Sequence, residues 1–170
     1  RHLLTDIAQI PGVSAVEGRI IGGALIDLPD VDVPFRARAL SLPERGPPRL
    51  NDIYLTDGRR LDPTRADEIL LLRGFAKAHD LHPGTRLRAT MNGARRTFTI
   101  AGLAESPEFL YAVAPGELAP DDSRFAVIWM NEDALASAFD LKGAFNEALV
   151  AFSRVARSDA VIDGLDRLLG

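Results

Sequence analysis

At 170 residues, with 46% hydrophobic and 26% charged side chains, the chain can bury one substantial core or two small subdomains, and global disorder is excluded. The net charge of −4 is uneven: residues 1–105 hold 15 basic and 13 acidic side chains, residues 106–170 only 5 and 11. That balance argues against a nucleic-acid partner, and the acid-rich C-terminal part would repel an anionic membrane surface. The absence of cysteine excludes disulfides, thiol catalysis and thiolate metal sites.

No segment approaches the roughly 18 to 20 apolar residues that span a bilayer, and no signal peptide is present. The chain starts at Arg1 without a methionine and stops at Gly170 after the helical-looking DGLDRLL. It reads as a segment of a longer protein, whose anchoring or targeting elements would lie outside it.

In chain order, HLLTDIAQI puts Leu3, Leu4 and Ile7 on one helical face before Pro11-Gly12 ends the helix. Residues 14–28, SAVEGRIIGGALIDL, read as one extended strand with a bulge or bend at Gly22-Gly23. FRARALSLP alternates, with Phe35, Ala37 and Ala39 opposite Arg36, Arg38 and Leu40. Residues 44–67 are rich in Pro, Gly, Asp and Arg and read as loop with a short strand near Ile53–Leu55. EILLL (68–72) is a buried strand, followed by a short helix over 73–80 that Pro83-Gly84 ends.

RLRATM-NG-ARRTFTI carries the sharpest local signal, because Asn92-Gly93 is what a two-residue type I′ hairpin requires. Counting outward from that turn pairs Met91 with Ala94, Leu87 with Phe98 and Arg88 with Thr97. Further on, RFAVIWM is a buried strand, and NEDALASAFDL is a helix with Asn131 as N-cap. FNEALVAFSRV is another strand. SDAVIDGLDRLL closes as a helix capped by Ser158, with Val161, Ile162, Leu165, Leu168 and Leu169 as its apolar stripe. This order of elements is α+β rather than an alternating doubly wound pattern.

Chemistry-bearing motifs are few. There is no Gly-x-Ser-x-Gly, no His-Glu-x-x-His and no phosphate-cradling glycine loop. His79 and His82 flank Asp80, but a helix end before Pro-Gly fits dipole complementation better than metal binding. Asp27, Asp30 and Asp32 resemble half of a calcium loop, without its glycine and distal glutamate, and read as a solvated turn, as Asp121-Asp122 does. Among Tyr54, Phe109, Tyr111 and Trp129, the tryptophan belongs to the core, whereas Phe109 and Tyr111 stand in a loop that needs a pocket beneath or a partner above. Glu105 and Glu108 are an acid pair that a small hydrolase could use, but two acids on an exposed turn are ordinarily solvated.

From Glu68 onward the chain resembles the extracytoplasmic core domain of FtsX/MacB-type ABC transporter permeases. The resemblance rests on EILLL, GFAKAHDL, HPGTRLRA, the Asn-Gly hairpin, the Ser-Pro-Glu corner of SPEFLYAV and FAVIWMNEDALASAF, with IPGVSAVEGR as the entry segment. It implies a domain hung outside the membrane between two transmembrane helices. A porter-like α+β subdomain would combine 1–50 with 124–170, and a β-rich subdomain would be inserted at 51–123. It implies no catalytic residue and no cofactor in this domain. The implied partners are an ABC ATPase subunit, a second permease copy or homologue, and a periplasmic or lipoprotein partner. Glu105, Ser106, Glu108, Phe109 and Tyr111 would form a corner that lines a contact surface. The ERGPPRLNDIYL region has no counterpart in the resemblance, and a free-standing periplasmic ligand-binding or carrier domain is the competing reading.

Overall fold

The computed structural model describes residues 2–109 and 121–170. Among the described residues the α-helices are α1 His2–Ala8, α2 Arg73–Ala78, α3 Glu132–Ala138 and α4 Ser158–Leu169. The strands are β1 Val13–Arg19, β2 Ile21–Asp27, β3 Phe35–Leu42, β4 Tyr54–Gly58, β5 Glu68–Leu72, β6 Arg86–Met91, β7 Ala94–Glu105, β8 Phe125–Asn131 and β9 Glu147–Phe152. The fold is α+β.

Seven strands form one sheet in the order β4-β7-β5-β8-β3-β2-β6, and β6 pairs back onto β7. Six of them therefore close into a ring, a small barrel with β4 added to the far half of β7. The hairpin that joins β6 to β7 has the register read from the Asn-Gly turn: Met91 opposite Ala94, Leu87 opposite Phe98, Arg88 opposite Thr97. Asn92 and Gly93 both take positive φ, 48° and 76°, as that turn demands.

Alternation decides which side chains fill the ring. Ala24 and Ile26, Ala37 and Ala39, Leu87 and Ala89, and Ala126 and Ile128 point inward and are buried. The parallel pair β3–β8 aligns Ala37 with Ala126 and Ala39 with Ile128, so small and large residues interdigitate. Phe75 of α2 and Leu135 of α3 are fully buried against this interior. A second cluster lies on the outer face: Leu40, Leu70, Val127 and Trp129 are covered by Ile53, Leu61 and Phe109. Gly102 of β7 sits where that cover crosses. A Cβ there would stand 2.6 Å from the Arg59 carbonyl oxygen and 2.8 Å from that of Asp57.

Outside the ring, β1 pairs antiparallel with β9, and α1 packs on β1 and touches α4. Gly12, at φ 97°, lets the chain turn from α1 into β1; a Cβ would meet Ala156 at 2.8 Å and Val161 at 2.9 Å. The first and last elements thus form a small unit of their own. The seven-stranded sheet crosses both borders expected at 50/51 and 123/124, because β4 to β7 interleave with β2, β3 and β8.

The segment 14–28 is not one strand. It breaks at Ile20, where it leaves β9 and enters the ring, rather than bending at Gly22-Gly23, both of which lie within β2. Ile20 is 1% exposed, and its N–H donates to Ser41 Oγ at 2.8 Å while the Ser41 N–H donates to its carbonyl at 2.9 Å. Two helix caps also differ from expectation. The Asn131 side chain donates to the Asp62 and Arg65 carbonyls, at 2.8 and 3.1 Å, instead of capping α3. The N-cap of α4 is Arg157, with no side-chain cap, and Ser158 is already helical. Of the stripe on α4 only Val161 is buried, and Ile162, Leu168 and Leu169 are exposed.

Candidate functional site

The corner after β7 is where the ring meets the terminal unit. Residues 107–109 make a single 3-10 turn begun by Ser106, whose carbonyl accepts from the Phe109 N–H at 3.0 Å. Ser106 is buried, and its hydroxyl accepts weakly from the Glu108 N–H at 3.4 Å. Proline at the second position fixes the φ such a turn needs. The turn aims Glu108 back at the end of β1.

There Glu108 meets Arg19. Nη1 donates to Oε2 at 2.9 Å and Nη2 to Oε1 at 2.6 Å, a two-pronged pairing that matches the fork of the guanidinium. Arg19 Nε donates to Glu147, the first residue of β9. Asn51 adds a longer bond to Glu108 at 3.3 Å. One guanidinium thus ties β1, β9 and the corner together. Burial opposes its charge, but the hydrogen bonds to Glu108 and Glu147 outweigh that and hold its pKa above the ordinary arginine value.

The same joint is fastened along the backbone. Asn146 accepts from the Ile21 N–H at 2.8 Å and donates to the Ile21 carbonyl at 2.7 Å, standing in for a missing strand across the break. Glu17 Oε2 accepts from the N–H groups of Arg49 and Leu50, both at 2.9 Å, and holds the loop after β3 against β1. The void left between Arg19, Ser41, Asn51 and Trp129 is about 30 Å³, enough for a water and too small for a ligand.

The other expected site residues separate. Glu105 pairs with Arg73 at the start of α2, at 2.9 Å, so the two acids of the corner answer to different arginines. Phe109 packs edge-on against Trp129, with centroids 6.1 Å apart, and belongs to the outer core cluster. Tyr54 is 62% exposed on β4 and is not part of that pair. Tyr111 lies outside the described residues.

His79 leans on Phe35 and Phe75, and its Nε2 is 2.6 Å from the Ser123 carbonyl, whereas His82 pairs with Asp80 at 2.8 Å. The two histidines thus take different partners. Asp27 faces Arg95 at 3.3 Å, and Asp121 accepts from the Ser123 N–H and hydroxyl, whose hydrogen bonds lower its pKa. Among the described residues no cluster of three or more His, Asp or Glu side chains is placed to hold a metal.

A buried carboxylate outside the corner also matters. Glu68 is 1% exposed at the start of β5, bonded by Arg59 (Nη1 to Oε2, 2.9 Å), flanked by Arg65 and receiving the Asp62 N–H at 3.0 Å. The hydrogen bond from Arg59 is the main cause that holds its pKa below the ordinary glutamate range. This network pins the 59–67 loop to the sheet.

Sequence reasoning found the corner but missed Arg19, Asn146 and Glu147. They lay inside stretches read as plain strand, and only long-range pairing brings them to Glu108.

No protein family matches the chain by sequence, and no curated protein does. Solved structures match it in shape. The extracellular domain of the noncanonic ABC-type transporter YknZ from Gram-positive bacteria aligns over 96% of this chain and 76% of its own, at TM-score 0.55 and 10% identity. The periplasmic region of MacB from Actinobacillus actinomycetemcomitans aligns over 99% of this chain and 71% of its own, at TM-score 0.54 and 12% identity. The chain therefore has the α+β fold of these two extracytoplasmic transporter domains.

Proposed function

We propose that this chain is the extracytoplasmic, non-catalytic domain of an ABC transporter permease. Through its membrane part it would couple cytoplasmic ATP hydrolysis to export, to lipoprotein or lipid release, or to activation of an extracytoplasmic partner. The observation that carries the reading is the joining of the chain ends. β1 and β9 pair antiparallel with Val13 opposite Phe152, and α1 and α4 lie in contact, so the chain enters and leaves at one side. A domain inserted between two membrane-spanning helices needs that arrangement. The likeness to the YknZ and MacB domains supports it.

On this reading the corner fastens the membrane-proximal unit to the ring. A displacement of α1 and α4 would reach β1 and β9, and the Arg19 clasp would pass it to the corner and the barrel. The rim of the corner, with half-buried Glu105 beside exposed Pro107, is then the place for a partner contact. An ATPase subunit and a second permease copy are the partners the reading requires.

The parent reading frame tests it. Apolar runs of about 20 residues should flank the domain on both sides. A cleavable signal upstream and a stop shortly downstream would instead make it a free periplasmic protein.

A further inference from the structure

Among the described residues, the outer face of the ring has a covered half and a bare half. The bare half runs across β6, β2, β3 and β8, where the register sets Thr90, Leu25, Arg36 and Phe125 in one row. The next row places Gly23 beside Arg38. Leu25 is 41% and Phe125 39% exposed, although both stand on well-formed strands. An added Cβ at Gly23 would meet nothing within 4 Å, so the floor is flat and open. These residues line a groove of about 720 Å³, within the range of roughly 300–1,000 Å³ that small-molecule sites occupy.

Its charge is opposite to that of the whole chain. Arg36 and Arg38 project from the same face of β3, about 6.6 Å apart at about 3.3 Å per residue. Among the described residues neither has an ion-pair partner or a side-chain hydrogen bond. Arg88 and Arg95 continue the face through the hairpin, and Asp27, paired with Arg95, is the acid set among them. A protein of net charge −4 thus lines an apolar, glycine-floored groove with two arginines, Arg36 and Arg38, and no acidic side chain. Solvation alone would favour mixed charge and shorter apolar side chains on such a face.

We propose that this groove binds a single-chain anionic lipid, its alkyl chain lying over Gly23, Leu25 and Phe125 and its phosphate or carboxylate head held between Arg36 and Arg38. The two unpartnered guanidiniums supply forked donors for a tetrahedral or planar anion. The apolar row gives the chain a surface to bury against. The site is independent of the transporter reading and of the Arg19 clasp.

Calorimetric titration of the 170-residue chain with dodecyl phosphate, kept below its micelle concentration, tests this. Saturable one-to-one binding is expected, at least tenfold weaker for inorganic phosphate and absent for dodecyltrimethylammonium. The R36Q/R38Q double variant changes only exposed side chains. It should keep the wild-type circular dichroism and melting temperature and bind dodecyl phosphate at least tenfold more weakly. L25S should lose affinity for dodecyl phosphate while leaving inorganic phosphate unaffected. Amide chemical-shift changes should centre on β2 and β3. No saturation, equal binding by wild type and R36Q/R38Q, or tighter binding of a poly-glutamate peptide than of dodecyl phosphate would each overturn the proposal.

Discussion

Replacing Arg19 with methionine keeps most of the side chain's apolar bulk and removes every hydrogen bond it makes. The wild-type guanidinium makes two bonds to Glu108 and one to Glu147, with 11% of the Arg19 side chain exposed against 23% and 32% for the two acids. Hydrogen bonds to charged groups contribute about 1.5–3 kcal/mol each, and breaking a fully buried ion pair costs about 3–5 kcal/mol. The partial exposure of both acids lets water re-solvate them, so the loss falls near the lower end, about 3 kcal/mol. In a domain of this length that corresponds to a melting temperature about 6–12 °C lower. Arg19→Lys should recover only part, because a single ammonium cannot serve both carboxylates in their present geometry. Thermal melts followed by circular dichroism read the effect, and an R19M/E108Q double-mutant cycle should give a coupling of at least about 1 kcal/mol. A melting temperature for R19M within about 2 °C of wild type, or additive R19M and E108Q effects, would refute the clasp as the joint between the two units.

Other expectations concern the ring and its cover. G102A should lower stability by about 2–3 kcal/mol, since its Cβ would drive against backbone carbonyls of the crossing segment, whereas G23A opens onto empty space and should be neutral or slightly stabilising. Denaturant titration of both variants decides it, and equal effects would contradict the geometry. F109A should cost about 2 kcal/mol and shift the emission of Trp129, the chain's single tryptophan, to the red, because the ring that shields its edge is removed. Glu68 has a folded pKa below its unfolded one, so its contribution is complete above the ordinary glutamate value of about 4.3 and fades as pH falls through the folded value. The melting-temperature gap between wild type and E68Q should therefore be widest near neutrality and shrink below that range; a gap independent of pH would contradict the assignment.

What could be read from sequence divides by the range of the interaction. The Asn92-Gly93 hairpin, the strand 68–72 and the helix that follows it came out as expected, because local turn chemistry and alternation set them. The break at Ile20 did not, since GRIIGG continues an apolar extended pattern while Ser41 and Asn146, far along the chain, end it. The sheet's crossing of the expected subdomain borders is also non-local, as nothing within β4 to β7 specifies the pairing of β5 with β8 or of β6 with β2. Asn131 has a capping side chain by composition, but two carbonyls of the 62–65 turn compete for it and win. At the candidate site, Ser106-Pro107-Glu108 announced a corner. Its partner Arg19 stands 89 residues earlier, beyond any window in which pattern carries information.

On the proposed reading this domain stands outside the membrane with both of its ends directed to it. The chain has no cysteine, so a single Lys142→Cys substitution in the exposed loop between α3 and β9 gives the domain one thiol. The measurement is labelling of that thiol in intact cells expressing the full parent protein, with a membrane-impermeant maleimide. Labelling of membrane-bound protein without lysis, equal to that after permeabilisation, is the predicted result. Labelling only after permeabilisation, or recovery of the protein in the soluble cytoplasmic fraction, would contradict the account.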